Sequence, residues 1–246
     1  MTIRHAIIGD VHGCSEELEE LCEFLLEKEP GTRLVLTGDL LTKGPDPGGV
    51  VRLISKFRGD GVAIDSVCGN HDLRVFSALH RSRDGVPFRR FSRVERETIL
   101  RLDAAGALDA ALSLLEETVD RILHPIGRAT VLHAGVDPKV GLSGTSPYDL
   151  IHIKAGAGER PWWETYDGRD GLLVFGHKPV REPVHRERDG APIAINVDTG
   201  CASGGKLTAY LLEADRFIAV ESRQSSRTAR RRRIEEPASS VLAWAG

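Results

Sequence analysis

The sequence predicts an α/β fold built on parallel strands, and three observations carry that expectation. Apolar, β-branched runs alternate with amphipathic stretches over the first 70 residues, the pattern of strand–helix–strand units. The runs are short and end in Gly, Pro or Asp, as buried strands do. The length of 246 residues suits one large domain, which can bury a core without a disulfide or a metal.

The elements follow in order. Ile3 to Ile8 reads as a buried strand, broken by Gly9-Asp10-Val11-His12-Gly13. Ser15 begins a helix whose apolar face is Leu18, Leu21, Cys22 and Leu25, the i, i+3, i+4, i+7 spacing. Leu34 to Leu36 is the second strand, followed by another Gly-Asp. Asp46-Pro47 starts the next helix, with Pro at its first position. Val62 to Val67 is a third strand, ending in Gly69-Asn70-His71-Asp72. From about Leu73 to Thr118 the chain is Arg-rich with helix signals, an expected helical insertion or cap. Val131 to Gly135 and Leu172 to Phe175 return to strand character, separated by irregular sequence over residues 141–170. Ile193 to Val197, Leu207 to Leu212 and Phe217 to Val220 are expected to be antiparallel strands. Residues 1–221 thus form the expected catalytic unit. Residues 222–246, with Arg230 to Arg233 in a row, are an expected polar, loosely packed tail.

Composition excludes several classes. The 33 basic and 36 acidic residues leave a net charge of -3, which argues against a nucleic-acid coat or a membrane-surface binder. The four arginines of the tail, in that balance, read as a solvated run. No apolar stretch approaches the roughly 20 residues of a membrane span, and the N-terminal segment lacks the cleavage site of a secretory signal. The four cysteines are scattered without a C-x-x-C pair, so no disulfide framework or thiolate zinc site is expected. The expectation is a reduced, cytoplasmic protein.

The chemistry lies at the strand ends. Gly9-Asp10-Val11-His12, Gly38-Asp39, Gly69-Asn70-His71-Asp72, His133-Ala134-Gly135 and Gly176-His177 each follow a predicted strand. In open α/β sheets, ligands bind beyond the carboxyl ends of the strands. Asp, His and Asn without a thiolate suit Mn²⁺, Fe or Zn²⁺. Six such ligands exceed what one zinc takes and suit two ions about 3.5–4 Å apart that share a carboxylate. Taken singly, each Gly-Asp reads as a turn and each His as a structural histidine; their joint recurrence is what points to metal.

The motifs GDVHG (9–13), GDLLTKGPD (38–46), GNHD (69–72), HAG (133–135) and GH (176–177) resemble those of the calcineurin-like metallophosphoesterases, in their phosphoprotein-phosphatase branch. The resemblance spans about residues 3–213 and implies two mixed β-sheets packed as a sandwich flanked by helices. It implies that Asp10 and His12 hold one divalent ion, that Asp39 bridges two, and that Asn70, His133 and His177 complete the ligand shell, mostly around the second ion. Mn²⁺ is the expected metal, with Fe, Zn²⁺, Co²⁺ or Ni²⁺ as alternatives. It implies further a metal-bridging hydroxide attacking phosphorus in line. His71, with an ordinary pKa of about 6.5, would protonate the departing oxygen.

The second motif departs from the protein phosphatases, which read GDxxDRG. Here Thr42 stands where a carboxylate would orient the catalytic histidine, leaving Asp72 or Asp198 as substitutes, and Lys43 stands where an Arg would clamp phosphate. The bacterial symmetrical dinucleoside tetraphosphatases also lack that Asp, and Val197 to Cys201 with Gly204 to Thr208 resembles their late segment. Lys43, Arg74 and Lys154 are the expected substrate-binding cations. Lysine is scarce here, seven of 33 basic residues, so its use at positions 43 and 154 points to a local change of phosphate grip. Trp162-Trp163 is read as packing rather than as a base-stacking pair. The expected function is hydrolysis of a dinucleoside tetraphosphate to two nucleoside diphosphates. A Ser/Thr or Tyr phosphoprotein phosphatase and an inactive nucleotide-binding module are the alternatives, so the expected partner is a small nucleotide or a phosphoprotein.

Overall fold

A computed structural model of the protein describes residues 4–153, 160–224 and 241–243. Two mixed sheets face one another. The first runs β11-β10-β9-β1-β2-β3 and the second β4-β5-β6-β8-β7. In the first, β1 (His5–Ile8), β2 (Arg33–Leu36) and β3 (Ile64–Ser66) pair in parallel. β9 (Lys206–Leu211) and β10 (Arg216–Glu221) extend it antiparallel. In the second, β5 (Ala129–Leu132), β6 (Leu172–Phe175) and β8 (Ala191–Asn196) pair in parallel, with β4 (Leu123–Ile126) and β7 (Val184–Arg188) antiparallel at the edges.

The two-residue period of the strands sorts their side chains into layers. Ile7, Val35, Val131, Val174, Ile195 and Tyr210 fill the space between the sheets. Ala6, Ile8, Leu34 and Leu36 face the other way, onto helices α1 (Ser15–Lys28) and α2 (Pro47–Gly59). Leu173 and Phe175 face Trp162 and Trp163 on the far side. Each such buried aliphatic or aromatic side chain contributes about 1.5–3 kcal/mol, so both faces of each sheet are stabilised by burial.

The helix-rich stretch consists of α3 (Asn70–Arg83), α4 (Arg93–Ala104) and α5 (Leu108–Val119). Val75, Leu79, Leu102, Leu112 and Leu115 from these helices join the same core cluster as Leu18 and Val51. These helices therefore continue the layer that covers the first sheet.

Three strand readings needed the structure. β8 is an interior strand, parallel to β6 and antiparallel only to the edge strand β7. β4 contains Pro125 and β7 reads Val-His-Arg-Glu-Arg; both lack apolar alternation because each is an edge strand, where proline and charge are tolerated. In the C-terminal stretch, β11 (Val241–Ala243) adds in parallel to β10, so these three residues are edge-paired rather than loose. Arg230 to Arg233 lie outside the described residues.

Candidate metal centre

Strands β1, β2, β5, β6 and β8 end on one side of the sandwich and deliver Asp10, Asp39, His133, His177 and Asp198. Asn70 and His71 arrive on the first turn of α3. The ligand atoms of Asp10, His12 and Asp39 lie within 4.8 Å of one another, and so do those of Asp39, His133 and His177. Asp39 belongs to both groups. Its Oδ2 is 3.4 Å from His12 Nε2, and its Oδ1 is 3.5 Å from His133 Nε2. Asn70 Oδ1 is 3.1 Å from His133 Nε2 and 3.1 Å from His177 Nδ1. The fold thus brings all six expected donors together.

The imidazoles are aimed by their outer nitrogens. His133 Nδ1–H donates to the Thr37 carbonyl at 2.8 Å, leaving Nε2 as the lone pair facing Asp39 and Asn70. His12 Nδ1–H donates to Thr42 Oγ1 at 2.9 Å, leaving Nε2 facing Asp39 and Asp10. Such outer-nitrogen partners fix tautomer and orientation at metal-binding histidines. The donor set therefore fits two divalent ions that share one carboxylate.

Tight backbone makes this convergence possible. His12, Asp39, Lys43 and His177 have φ values of 48°, 55°, 66° and 70°, in the left-handed region that non-glycine residues rarely adopt. Strain of this kind persists where surrounding contacts over-determine it. Here they do. Asp72 accepts from the N–H groups of Asp39 (2.7 Å) and Gly69 (3.0 Å) through Oδ2, and from Leu40 N–H (2.8 Å) through Oδ1. A Cβ on Gly176 would lie 2.1 Å from Asp10 Oδ1, and one on Gly69 would lie 2.2 Å from Asp39 Oδ1. Glycine at both positions is what lets the backbone touch the carboxylates.

His71 stands beside the donors and outside both groups. Its N–H donates to Asp39 Oδ1 at 2.8 Å, and its ring meets that of His12 edge-on at 5.3 Å. Of the two carboxylates weighed as its orienting partner, Asp72 holds the backbone of the Asp39 loop through both its oxygens. Asp198 is buried near Asp10 and accepts from Gly200 N–H at 3.0 Å.

Lys43 Nζ lies 2.6 Å from His12 Nε2, so its ammonium sits directly on the lone pair that faces Asp39. Arg101 of α4 donates to the carbonyls of Lys43 and Gly44 and ties down that loop. Arg74 is not brought to the donors: its guanidinium faces Ser92 (3.4 Å) and Glu95 (3.8 Å) at the start of α4. Lys154 lies outside the described residues. Two contributors, Thr37 and Arg101, escaped the sequence reading, and Thr42 was marked there only as the place of a missing carboxylate. Thr37 follows β2, and its Oγ1–H donates to Asp10 at 3.1 Å while its carbonyl holds His133. Thr42 aims His12, and Arg101 acts from a distant helix. A small polar residue beside Gly-Asp was the signal available for the two threonines; none existed for Arg101.

Because the Thr37 hydroxyl donates to Asp10, Thr37→Val, which keeps the backbone carbonyl that holds His133, is expected to lower divalent-metal affinity roughly tenfold. Metal titration followed by thermal melting reads this, and an unchanged affinity would remove Thr37 from that role.

Charge crowding perturbs the site. Burial, with Asp198 and Asp39 nearby, raises the Asp10 pKa well above the ordinary carboxylate value. Burial likewise raises Asp72 and Asp198 to about 7. Burial lowers His133 to about 4 and holds His12 well below its usual range. The His133 imidazole is therefore neutral above about pH 5, burial favours the neutral form of His12 as well, and the raised carboxylates set the pH dependence. A folded-state pKa above the unfolded one gives stability at low pH that is lost as pH rises towards 7. Divalent ions need the ionised carboxylates, so binding releases protons and tightens over the same interval. The rise in Tm on adding Mn²⁺ is thus expected to grow from pH 5.5 to about pH 7.5 and then level. A shift independent of pH would contradict this.

A family model described as calcineurin-like phosphoesterase matches residues 3–212. A bis(5'-nucleosyl)-tetraphosphatase PrpE, asymmetrical, of Halalkalibacterium halodurans is 30% identical, across 89% of this chain and 94% of its own length. A symmetrical bis(5'-nucleosyl)-tetraphosphatase of Psychromonas ingrahamii is 35% identical across 54% of this chain and 44% of its own. A crystal structure described as a candidate diadenosine tetraphosphatase superposes with a TM-score of 0.66 at 25% identity, covering 92% of this chain and 96% of that one.

Proposed function

On the footing that the chain belongs to the calcineurin-like phosphoesterase family, a family of metal-dependent hydrolases, we propose that it hydrolyses dinucleoside tetraphosphates. The observation that carries the chemistry is the split of Asp39, one carboxylate oxygen facing His12 and the other facing His133. The substrate class is supported by the names of the relatives and by Thr42, whose hydroxyl serves His12 where protein phosphatases place a carboxylate for the catalytic histidine.

Asp10, His12 and Asp39 would hold one ion, and Asp39, Asn70, His133 and His177 the other, with Mn²⁺ the proposed metal. When bound, the ions polarise phosphoryl oxygens and acidify a water. His71 is held beside the donors by its N–H on Asp39 and gives a proton to the departing phosphate oxygen. Lys43 offers a point charge to the phosphate chain. The Lys43 ammonium would compete with a metal for the lone pair of His12 Nε2. Asp198 adds buried negative charge next to Asp10. A place inside a cell is part of the proposal; among the described residues no helix is long and apolar enough to cross a membrane.

The test is product analysis with Mn²⁺ on diadenosine tetraphosphate, mononucleotides and phosphopeptides. The expected kcat/KM for the dinucleotide exceeds that for phosphopeptides at least tenfold. Faster phosphopeptide turnover would overturn the substrate assignment. ADP as the sole product reports the equal cut expected from the sequence. ATP with AMP reports the unequal cut carried in the name of the relative matched along most of the chain.

A further inference from the structure

Nothing among the metal donors recognises a base. Trp162 and Trp163, the aromatic pair weighed from the sequence, are each 6% exposed, and Trp162 Nε1–H donates to the Ala134 carbonyl. They are core, and no base can reach their faces.

A different aromatic pair stands in the open. Helix α7 (Pro147–His152) docks on the strand end that carries His133. The carbonyl of Leu150 accepts from Ala134 N–H at 2.9 Å and Gly135 N–H at 3.4 Å. This places the Tyr148 Cα within about 16 Å of the His133 Cα by chain geometry. Tyr148 is 67% exposed, the highest value among the exposed large hydrophobic residues described. Its ring stacks on that of His152 with centroids 4.0 Å apart and planes 10° from parallel. His152 Nδ1–H donates to the Tyr148 carbonyl at 2.9 Å, which fixes the lower ring of the stack. One face of Tyr148 is covered by an ordered imidazole, and the ring otherwise stands in water.

We propose that Tyr148, backed by His152, is the platform on which a purine base of the substrate stacks. The inference rests on the dinucleotide reading above. A large aromatic held flat and wet on the helix that docks against the His133 strand end is matched by a flat π-surface tethered to phosphate. Base–aromatic stacking tolerates different bases, since each has a π-face. The platform therefore selects for nucleotides over simple phosphate esters without choosing sharply between purines.

The test compares substrates in the full-length, Mn²⁺-loaded enzyme. The selectivity ratio is kcat/KM for diadenosine tetraphosphate divided by kcat/KM for p-nitrophenyl phosphate, whose ring is bonded directly to the reacting phosphate. Tyr148→Ala is expected to lower this ratio roughly tenfold, through KM for the dinucleotide rather than kcat. Tyr148→Trp is expected to restore it, and equal melting temperatures check that α7 stays docked. A wild-type ratio in Tyr148→Ala overturns the platform, as does a loss shared equally by both substrates, which marks a structural role. Wild-type enzyme that cleaves p-nitrophenyl phosphate but not the dinucleotide overturns the substrate reading and the platform with it. Wild-type cleavage of the dinucleotide with no effect of Tyr148→Ala overturns the platform alone.

Discussion

Asp39→Asn is expected to lower kcat/KM by roughly a thousandfold or more, at about 1.4 kcal/mol per factor of ten. Two features make this the most damaging conservative change. Asp39 is 2% exposed, so its charge is little screened. Its two oxygens face different donor groups, Oδ2 towards His12 and Oδ1 towards His133. Asparagine retains one oxygen, which can still accept from His71 N–H as Asp39 Oδ1 does at 2.8 Å. Its amide nitrogen presents hydrogens to the other group and removes the shared negative charge. The loop need not collapse, because Asp72 holds the backbone N–H groups of positions 39 and 40. Lys43→Ala is the comparison. It removes one charge-assisted contact to phosphate, and the expected loss is roughly ten- to a hundredfold. Steady-state kinetics with bound-metal analysis reads both; equal losses would refute the bridging role of Asp39.

His71→Asn is expected to spare metal binding and to slow substrates according to their leaving groups. General acid catalysis contributes about 10²–10⁴-fold. A departing nucleotide leaves as a phosphate whose second pKa is about 6 and needs little protonation. The departing alkoxide of phosphoserine needs much more. The loss should lie near the low end of that range for the dinucleotide and near the high end for a phosphoserine peptide. A uniform loss, or loss of metal along with activity, would place His71 among the ligands or in a structural role. Its N–H on Asp39 and its edge-on contact with His12 put the ring beside the donors.

The fold was legible where burial imposes a period. Ile7 and Ile8 point to opposite cores because side chains alternate along a strand, and the apolar stripe of α1 is visible at Leu18, Leu21, Cys22 and Leu25. It was illegible at edges. β7 exposes charged residues because one side of an edge strand meets water, so nothing in Val-His-Arg-Glu-Arg demands a strand. The interior, parallel place of β8 is set by its partner β6, whose register partners lie 21 residues upstream.

The candidate donors were legible for a similar reason. Asp10, Asp39, Asn70 and His177 each follow a Gly at a predicted strand end or helix start, His133 stands two residues before Gly135, and those ends share one side of the sandwich. Local sequence thus determined which residues offer lone pairs. Their supports follow from long-range contact. Thr37 meets His133 across 96 positions and Arg101 meets Gly44 across 57. Asp72, weighed from the sequence as a partner for His71, makes three backbone bonds that hold the Asp39 loop. Arg74 looked like a phosphate ligand until the start of α4 took its guanidinium. By itself the sequence determined the strand ends and the chemistry they carry, because burial and backbone turns constrain residues close in the chain. Only the tertiary structure decided which hydroxyl aims which imidazole, which carboxylate faces two groups, and which aromatic stands in water. Hydrogen bonds and exposure depend on neighbours that the chain order does not name.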